Sequence, residues 1–134
     1  MIYTDSPEGL TANNLQGFFV GWLNPPSPET LLRILHQSDH IELAVDDQTS
    51  MVVGFISAIS DNVLCAYIPL LEVLPDYQGN GIGKELVRRV ITHYKDLYMI
   101  DLICDENLQA YYEKLGMVKA SGMMIRRYDK QSGR

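Results

Sequence analysis

The sequence predicts an α+β layered fold, a mixed and mostly antiparallel sheet with helices on both faces. Three observations predict it. Residues 40–74 read as three successive strands joined by short polar turns, with no helix between them. Residues 28–36 and 82–94 carry apolar side chains at helical spacing. A glycine-rich segment, Gln78-Gly79-Asn80-Gly81-Ile82-Gly83-Lys84, stands between the last of those strands and the second of those helices.

The elements follow in order. Residues 2–4 form a short first strand, and Asp5-Ser6-Pro7-Glu8-Gly9 is a turn by composition. Residues 11–20 read as a helix with Thr11 as N-cap and Leu15, Phe18 and Phe19 on one side, stopped by Asn24-Pro25-Pro26. A second helix has Ser27 as N-cap, Pro28 in its first turn and Leu31, Leu32 and Leu35 as its apolar stripe. The meander strands are 40–45, 51–59 and 63–74, turned at 46–49 and 60–62. Helix 82–94 is followed by a strand at 97–104, a short helix at 107–115 closed by Gly116, and a final strand at 117–128. This makes one domain of residues 1–128 and a polar tail, 129–134, expected to fray. The expected order is strand, two helices, three-strand meander, helix, strand, helix, strand.

Composition narrows the class. The net charge of −6 and the absence of a long basic cluster argue against a nucleic-acid partner. The longest apolar run, 63–71, is too short to cross a membrane, and residues 1–9 lack the pattern of a secretory signal, so the expected address is cytoplasmic. Cys65 and Cys104 lie in apolar runs without a neighbouring Cys or His at metal-ligand spacing; they read as buried thiols, and no metal is expected.

The glycine-rich segment is the chemically informative one. Glycines let the backbone turn tightly and bring successive N–H groups onto one point, and the helix that follows adds its N-terminal dipole, so the natural guest is a phosphate. It is not a P-loop, because Gln78 stands where the first glycine is required and Glu85 where Ser or Thr is required. It is not a dinucleotide fingerprint either, since position 84 is Lys and the preceding strands form an antiparallel meander.

The segment 71–83, Leu-Glu-Val-Leu-Pro-Asp-Tyr-Gln-Gly-Asn-Gly-Ile-Gly, closely resembles the GNAT superfamily of acetyl-CoA-dependent N-acetyltransferases, whose pattern is Gln or Arg, two residues, Gly, one residue, then Gly or Ala. A second motif, Tyr111-Tyr112-Glu113-Lys114-Leu115-Gly116-Met117, falls where that family has it. The element order matches over essentially residues 1–128.

The resemblance implies a GNAT-like fold and acetyl-CoA as acyl-donor cosubstrate. By position, the backbone of Leu71, Glu72 and Val73 would bond the pantetheine arm. The N–H groups of Gln78, Gly79, Asn80, Gly81, Ile82, Gly83 and Lys84 would hold the pyrophosphate, with the Lys84 ammonium adding charge. Position 80, often basic in the family, is Asn here, and Asp105 stands where the family often has an Asn touching the cofactor.

Acetyl transfer to an amine needs two proton movements, one off the ammonium and one onto the departing thiolate. Tyr112 resembles the family's tyrosine acid at the sulfur, and a phenol with an ordinary pKa near 10 is protonated at neutral pH. Glu72, an acid in an apolar strand, is the expected base, acting directly or through a water; its alternative is a solvent-facing or Arg-paired strand residue. The acceptor pocket of the family is lined by its first helices, which places Phe19 and Trp22, the only Trp, at the substrate. The expected function is transfer of an acetyl group from acetyl-CoA to a primary amine by direct attack in a ternary complex. A non-catalytic acyl-CoA-binding or sensing domain is the alternative, and a homodimer is compatible with either.

Overall fold

A computed structural model describes residues 1–133 of the chain; Arg134, at the end of the expected tail, lies outside the described residues. Five strands make one sheet in the order β1-β2-β3-β4-β5, with β1 at Ile2–Thr4, β2 at His40–Val45, β3 at Val52–Ser60, β4 at Cys65–Val73 and β5 at Met99–Asp101. The first four are antiparallel neighbours, and only the β4–β5 pair is parallel. Short polar turns join β2 to β3 and β3 to β4, whereas the parallel pair needs a crossover. Helix α2, Ile82–His93, supplies it.

Each face of the sheet carries one long helix. Helix α1, Pro28–Gln37, starts where the sequence places it: the Ser27 side chain accepts from the Thr30 N–H at 3.1 Å, and Pro28 occupies the first turn. Its Leu31 and Leu35 pack with Leu15, Phe19, Ile41, Leu43, Val52 and Phe55 on one face. On the other, Leu86, Val87 and Val90 of α2 pack with Ala44, Val53, Ile56, Ala58 and Ile68. Each fully buried Leu or Phe stabilises by about 1.5–3 kcal/mol relative to exposure, so these two clusters hold the layers together. Gly54 of β3 lets α2 lie close: a β-carbon there would stand 3.1 Å from Ile82 and 3.3 Å from Leu86.

Four expectations are corrected. The first helix, read at 11–20, is only a 3₁₀ turn at Ala12–Leu15; Thr11 is its N-cap residue, and Asn14 Oδ1 accepts from both the Thr11 N–H and the Thr11 hydroxyl. Gly17, Phe19 and Gly21 all take positive φ, which no right-handed helix accommodates, so the chain loops instead. The helix read at 107–115 is a 3₁₀ turn, Glu106–Leu108, running into a short α3, Gln109–Glu113.

The final strand, read at 117–128, does not pair: residues 118–127 donate no backbone hydrogen bond among the described residues, and Val118, Met123 and Ile125 are 89%, 97% and 76% exposed. The strand pattern is present, but no neighbouring edge receives it. After a turn at Tyr128–Lys130, the Gln131 side chain accepts from the Asn24 N–H at 2.9 Å. Cys65 and Cys104 are free thiols and partly accessible, less enclosed than the apolar runs around them imply.

Candidate acetyl-donor and acceptor site

The site grows from a parting of strands. β5 pairs with β4 only at Cys65, Ala66 and Tyr67, so from Ile68 to Val73 the β5 side of β4 has no strand beside it. The opposite edge of this stretch stays bonded to β3, with Leu70, Leu71, Glu72 and Val73 in register with Ser57, Ile56, Phe55 and Gly54. An unpaired strand edge presents alternate N–H and C=O groups to whatever lies along it.

Beyond Val73 the chain turns at Pro75–Tyr77 and enters the glycine loop. The Gln78 side chain donates to the Val73 carbonyl at 2.9 Å, folding the loop back over the end of β4, and Asn80 donates to the Tyr77 carbonyl. Gly79 and Gly81 have φ of 81° and 79°, and α2 opens at Gly81 with no side-chain cap. Among the described residues, no backbone N–H from Gly79 to Lys84 has an acceptor; the first one bonded is that of Glu85, to the Gly81 carbonyl. A row of unpaired N–H groups at the positive end of a three-turn helix is an anion seat.

Side chains around the seat divide sharply. Ile82 is buried in the core and offers the seat only its backbone. Lys84 is exposed and enters no ion pair among the described residues. Arg88 and Arg89 are engaged elsewhere: both bond Glu85, whose carboxyl is thereby held down at about 2, and Arg89 also approaches Glu42. The seat's positive character therefore rests on the backbone and Lys84.

Two tyrosines flank it. The Tyr111 hydroxyl lies 2.9 Å from where a β-carbon on Gly83 would be, directly over the first turn of α2. Gly83, a poor helix former one residue inside α2, is the sequence signal that something passes close by. Tyr112 packs against the α2-side core, its ring 5.1 Å from that of Tyr111 and nearly perpendicular to it. Burial, reinforced by Tyr111 and Cys104, pushes the Tyr112 phenol up to about 12. Among the described residues its hydroxyl has no partner, and it is not one of the enclosed polar atoms, so it is a protonated donor with an open side.

Glu72 sits on the other face of β4. Leu70 packs into the α1-side cluster while Leu71 and Val73 pack into the α2-side one, and strand alternation puts Glu72 with Leu70. Its Oε1 accepts from the Phe19 N–H at 2.8 Å and its Oε2 from the Val20 N–H at 3.3 Å. No Arg or Lys pairs with it among the described residues. Phe19 is 4% exposed and packs against Phe55, whereas Trp22, its ring 4.8 Å from that of Phe19, is 39% exposed. A cleft of about 300 Å³ opens beside this loop, lined by Phe18, Phe19, Pro25, Pro26, Pro28 and Leu31 among others. Of the two aromatic residues read as substrate-binding, Trp22 shows its ring to solvent, and Phe19 is mostly core.

The chain is 32% identical over 103 residues to the uncharacterized N-acetyltransferase ycf52 of Porphyra purpurea, covering 75% of this chain and 59% of the relative. The protein of the same name from Pyropia yezoensis is 30% identical over 123 residues, 88% of this chain and 71% of that one. The chain thus spans roughly three fifths to seven tenths of these relatives. A crystal structure from Deinococcus radiodurans, its protein assigned as an acetyltransferase, superimposes with a TM-score of 0.95 at 47% identity, over 98% of this chain and 91% of that one. The sequence profile of the Acetyltransferase (GNAT) family matches residues 9–117, a span that holds the parted strands, the glycine loop and the tyrosine motif, and the chain belongs to that family.

Proposed function

We propose that the protein is an N-acetyltransferase that moves an acetyl group from acetyl-CoA to a primary amine by direct attack in a ternary complex. The observation that carries the reading is the run of unpartnered N–H groups from Gly79 to Lys84, placed beside the unpaired edge of β4. The residues present fit coenzyme A. The backbone of Leu71, Glu72 and Val73 would bond the pantetheine amides as an added strand does, and Gln78, Gly79, Asn80, Gly81, Ile82, Gly83 and Lys84 would hold the pyrophosphate. The bound thioester supplies an activated acyl carbon and a thiolate leaving group.

The chain's own part is to orient and to move protons. Tyr112, protonated well beyond neutral pH, is the donor for the departing sulfur. The attacking nitrogen must arrive without its extra proton, and Glu72 is the acid nearest in sequence to the slot, with both its oxygens engaged by Phe19 and Val20. The half-exposed Trp22 and the adjoining proline-lined cleft favour an acceptor with an apolar or cationic body. Thiol release from acetyl-CoA in the presence of an amine panel tests the reading.

The reading includes a homodimer joined through residues 118–130. This arm is exposed along its whole length and holds Lys119, Arg126, Arg127 and Lys130 against the single acid Asp129. Its charge is +3 in a chain of −6, which leaves −9 on the rest. An apolar, basic and unpaired segment is complementary to the free edge of β5 in a second copy, where Asp101 at the strand's end and Asp105 in the loop after it are exposed.

A further inference from the structure

From Gly17 to Leu23, the only hydrogen bonds that leave the segment, among the described residues, are the two that Glu72 accepts. The segment is otherwise closed on itself by the Trp22 N–H donating to the Phe19 carbonyl at 3.2 Å. Within it Phe19 has φ of 65°, a left-handed conformation that a bulky side chain adopts only when its surroundings impose it. The imposition is visible. The Phe19 ring is buried against Phe55, and the amide on its N-terminal side and the one that follows both point at one carboxylate. Flanking Gly17 and Gly21, with φ of 91° and 82°, let the chain enter and leave this turn.

We propose that Glu72 is the positioning residue of the acceptor pocket: its two oxygens clamp the Phe19 and Val20 amides, hold Phe19 in the left-handed turn, and so fix where Trp22 stands. The use of the pocket rests on the acetyl-transfer reading above; the clamp does not. Two parallel acceptors aimed at two adjacent N–H groups suit a carboxylate, because it accepts at both ends. A glutamine would accept at one oxygen and turn an NH₂ donor toward the other amide. An aspartate keeps both acceptors and draws them back by one methylene, out of reach of at least one amide. In this arrangement the carboxylate acts on the acceptor through the shape of the loop, and the ammonium proton leaves by water.

The test uses Glu72→Gln and Glu72→Asp, each confirmed as folded by circular dichroism and by calorimetric titration with acetyl-CoA. Trp22 is the only Trp of the chain and its ring packs at a tilt against that of Phe19, so its fluorescence reports the loop without any acceptor. The clamp predicts that both variants shift Trp22 emission to the red and make it easier to quench. It also predicts an acceptor KM raised by about tenfold or more, an acetyl-CoA KM within about a factor of two of wild type, and a rate-against-pH curve of unchanged shape. Unchanged Trp22 fluorescence in both variants overturns the clamp, whether or not any amine is acetylated. So does a Glu72→Gln loss confined to kcat at low pH with Glu72→Asp near wild type, which would make the carboxylate the base. Should Glu72→Gln fail to fold, Glu72→Asp alone decides by the same fluorescence and KM criteria.

Discussion

The Tyr111 hydroxyl stands over Gly83, 2.9 Å from the position of a β-carbon on that residue. Two glycines two residues apart therefore serve the same loop for different reasons. Gly81 is needed for its backbone, since φ there is 79° and a β-carbon would meet nothing within 4 Å. Gly83 is needed for space, since its backbone is helical and Tyr111 fills the room.

The two substitutions to Ala are predicted to separate these roles. Gly81→Ala forces a side chain into the left-handed region and costs about 1–2 kcal/mol of stability. It also turns the N–H row and weakens acetyl-CoA binding about tenfold or more. Gly83→Ala places a β-carbon 2.9 Å from the Tyr111 hydroxyl, so the ring must shift, and this offsets the gain in helix propensity of about 1 kcal/mol and leaves stability nearly unchanged. Urea unfolding and calorimetric titration of both variants check the contrast.

Tyr112→Phe removes one hydroxyl and leaves the packed ring, so acetyl-CoA binding is predicted to be nearly unchanged while kcat falls about a hundredfold. Because burial raises the phenol to about 12, wild-type kcat should show no alkaline loss from this group until the pH approaches that value. The same shift has a stability consequence. The folded state holds the proton more tightly than the unfolded one, so its contribution is whole below a pH of about 10 and is lost as the pH rises toward 12. Tyr112→Phe should lack that loss in alkaline denaturation curves.

His93, near the end of α2, stacks on His40 with ring centroids 3.6 Å apart, while His40 Nε2 lies 2.6 Å from Glu42 Oε2. Desolvation first and the neighbouring His40 second hold the His93 pKa below its usual value, against the opposing pull of Glu42 and Asp5. The fold thus favours neutral His93, and the unfolded chain takes the proton more readily. Its contribution to stability is present above a pH of about 6.5 and is lost as the pH falls below that value. Thermal unfolding from pH 7.5 to 5 should show this decline in the wild type and a shallower one in His93→Phe.

Much of this fold was legible because its signals are local. The meander from His40 to Val73 is written in alternation and short turns, and α1 in Ser27, Pro28 and three leucines. The glycine loop was legible as a row of backbone N–H groups without an acceptor among the described residues, because that feature follows from its own glycines. The rest depends on contacts distant in sequence. Nothing near Phe19 says that its amide will meet a carboxylate 53 residues away, and without that contact residues 11–20 look helical. Strand chemistry in residues 117–128 is equally plain, but composition does not say which edge receives a strand, or whether that edge is in the same chain.

The unpaired arm is predicted to make the protein a dimer in solution. Replacing Met123 and Ile125, 97% and 76% exposed, with Asp should produce a monomer that keeps its far-ultraviolet circular dichroism. Sedimentation velocity checks this, and a wild-type protein that sediments as a monomer across the micromolar range contradicts it.

The central claim is that the loop from Gln78 to Lys84 and Tyr112 together serve acetyl transfer to an amine. The most direct measurement is release of free coenzyme A thiol from acetyl-CoA over a panel of polyamines, amino sugars, aryl-alkyl amines and peptides. Thiol release that depends on the amine, matched mole for mole by N-acetylated product and reduced about a hundredfold in Tyr112→Phe, is the result predicted. Acetyl-CoA binding with no amine-dependent release across the panel would contradict the claim and make the chain an acyl-CoA-binding domain.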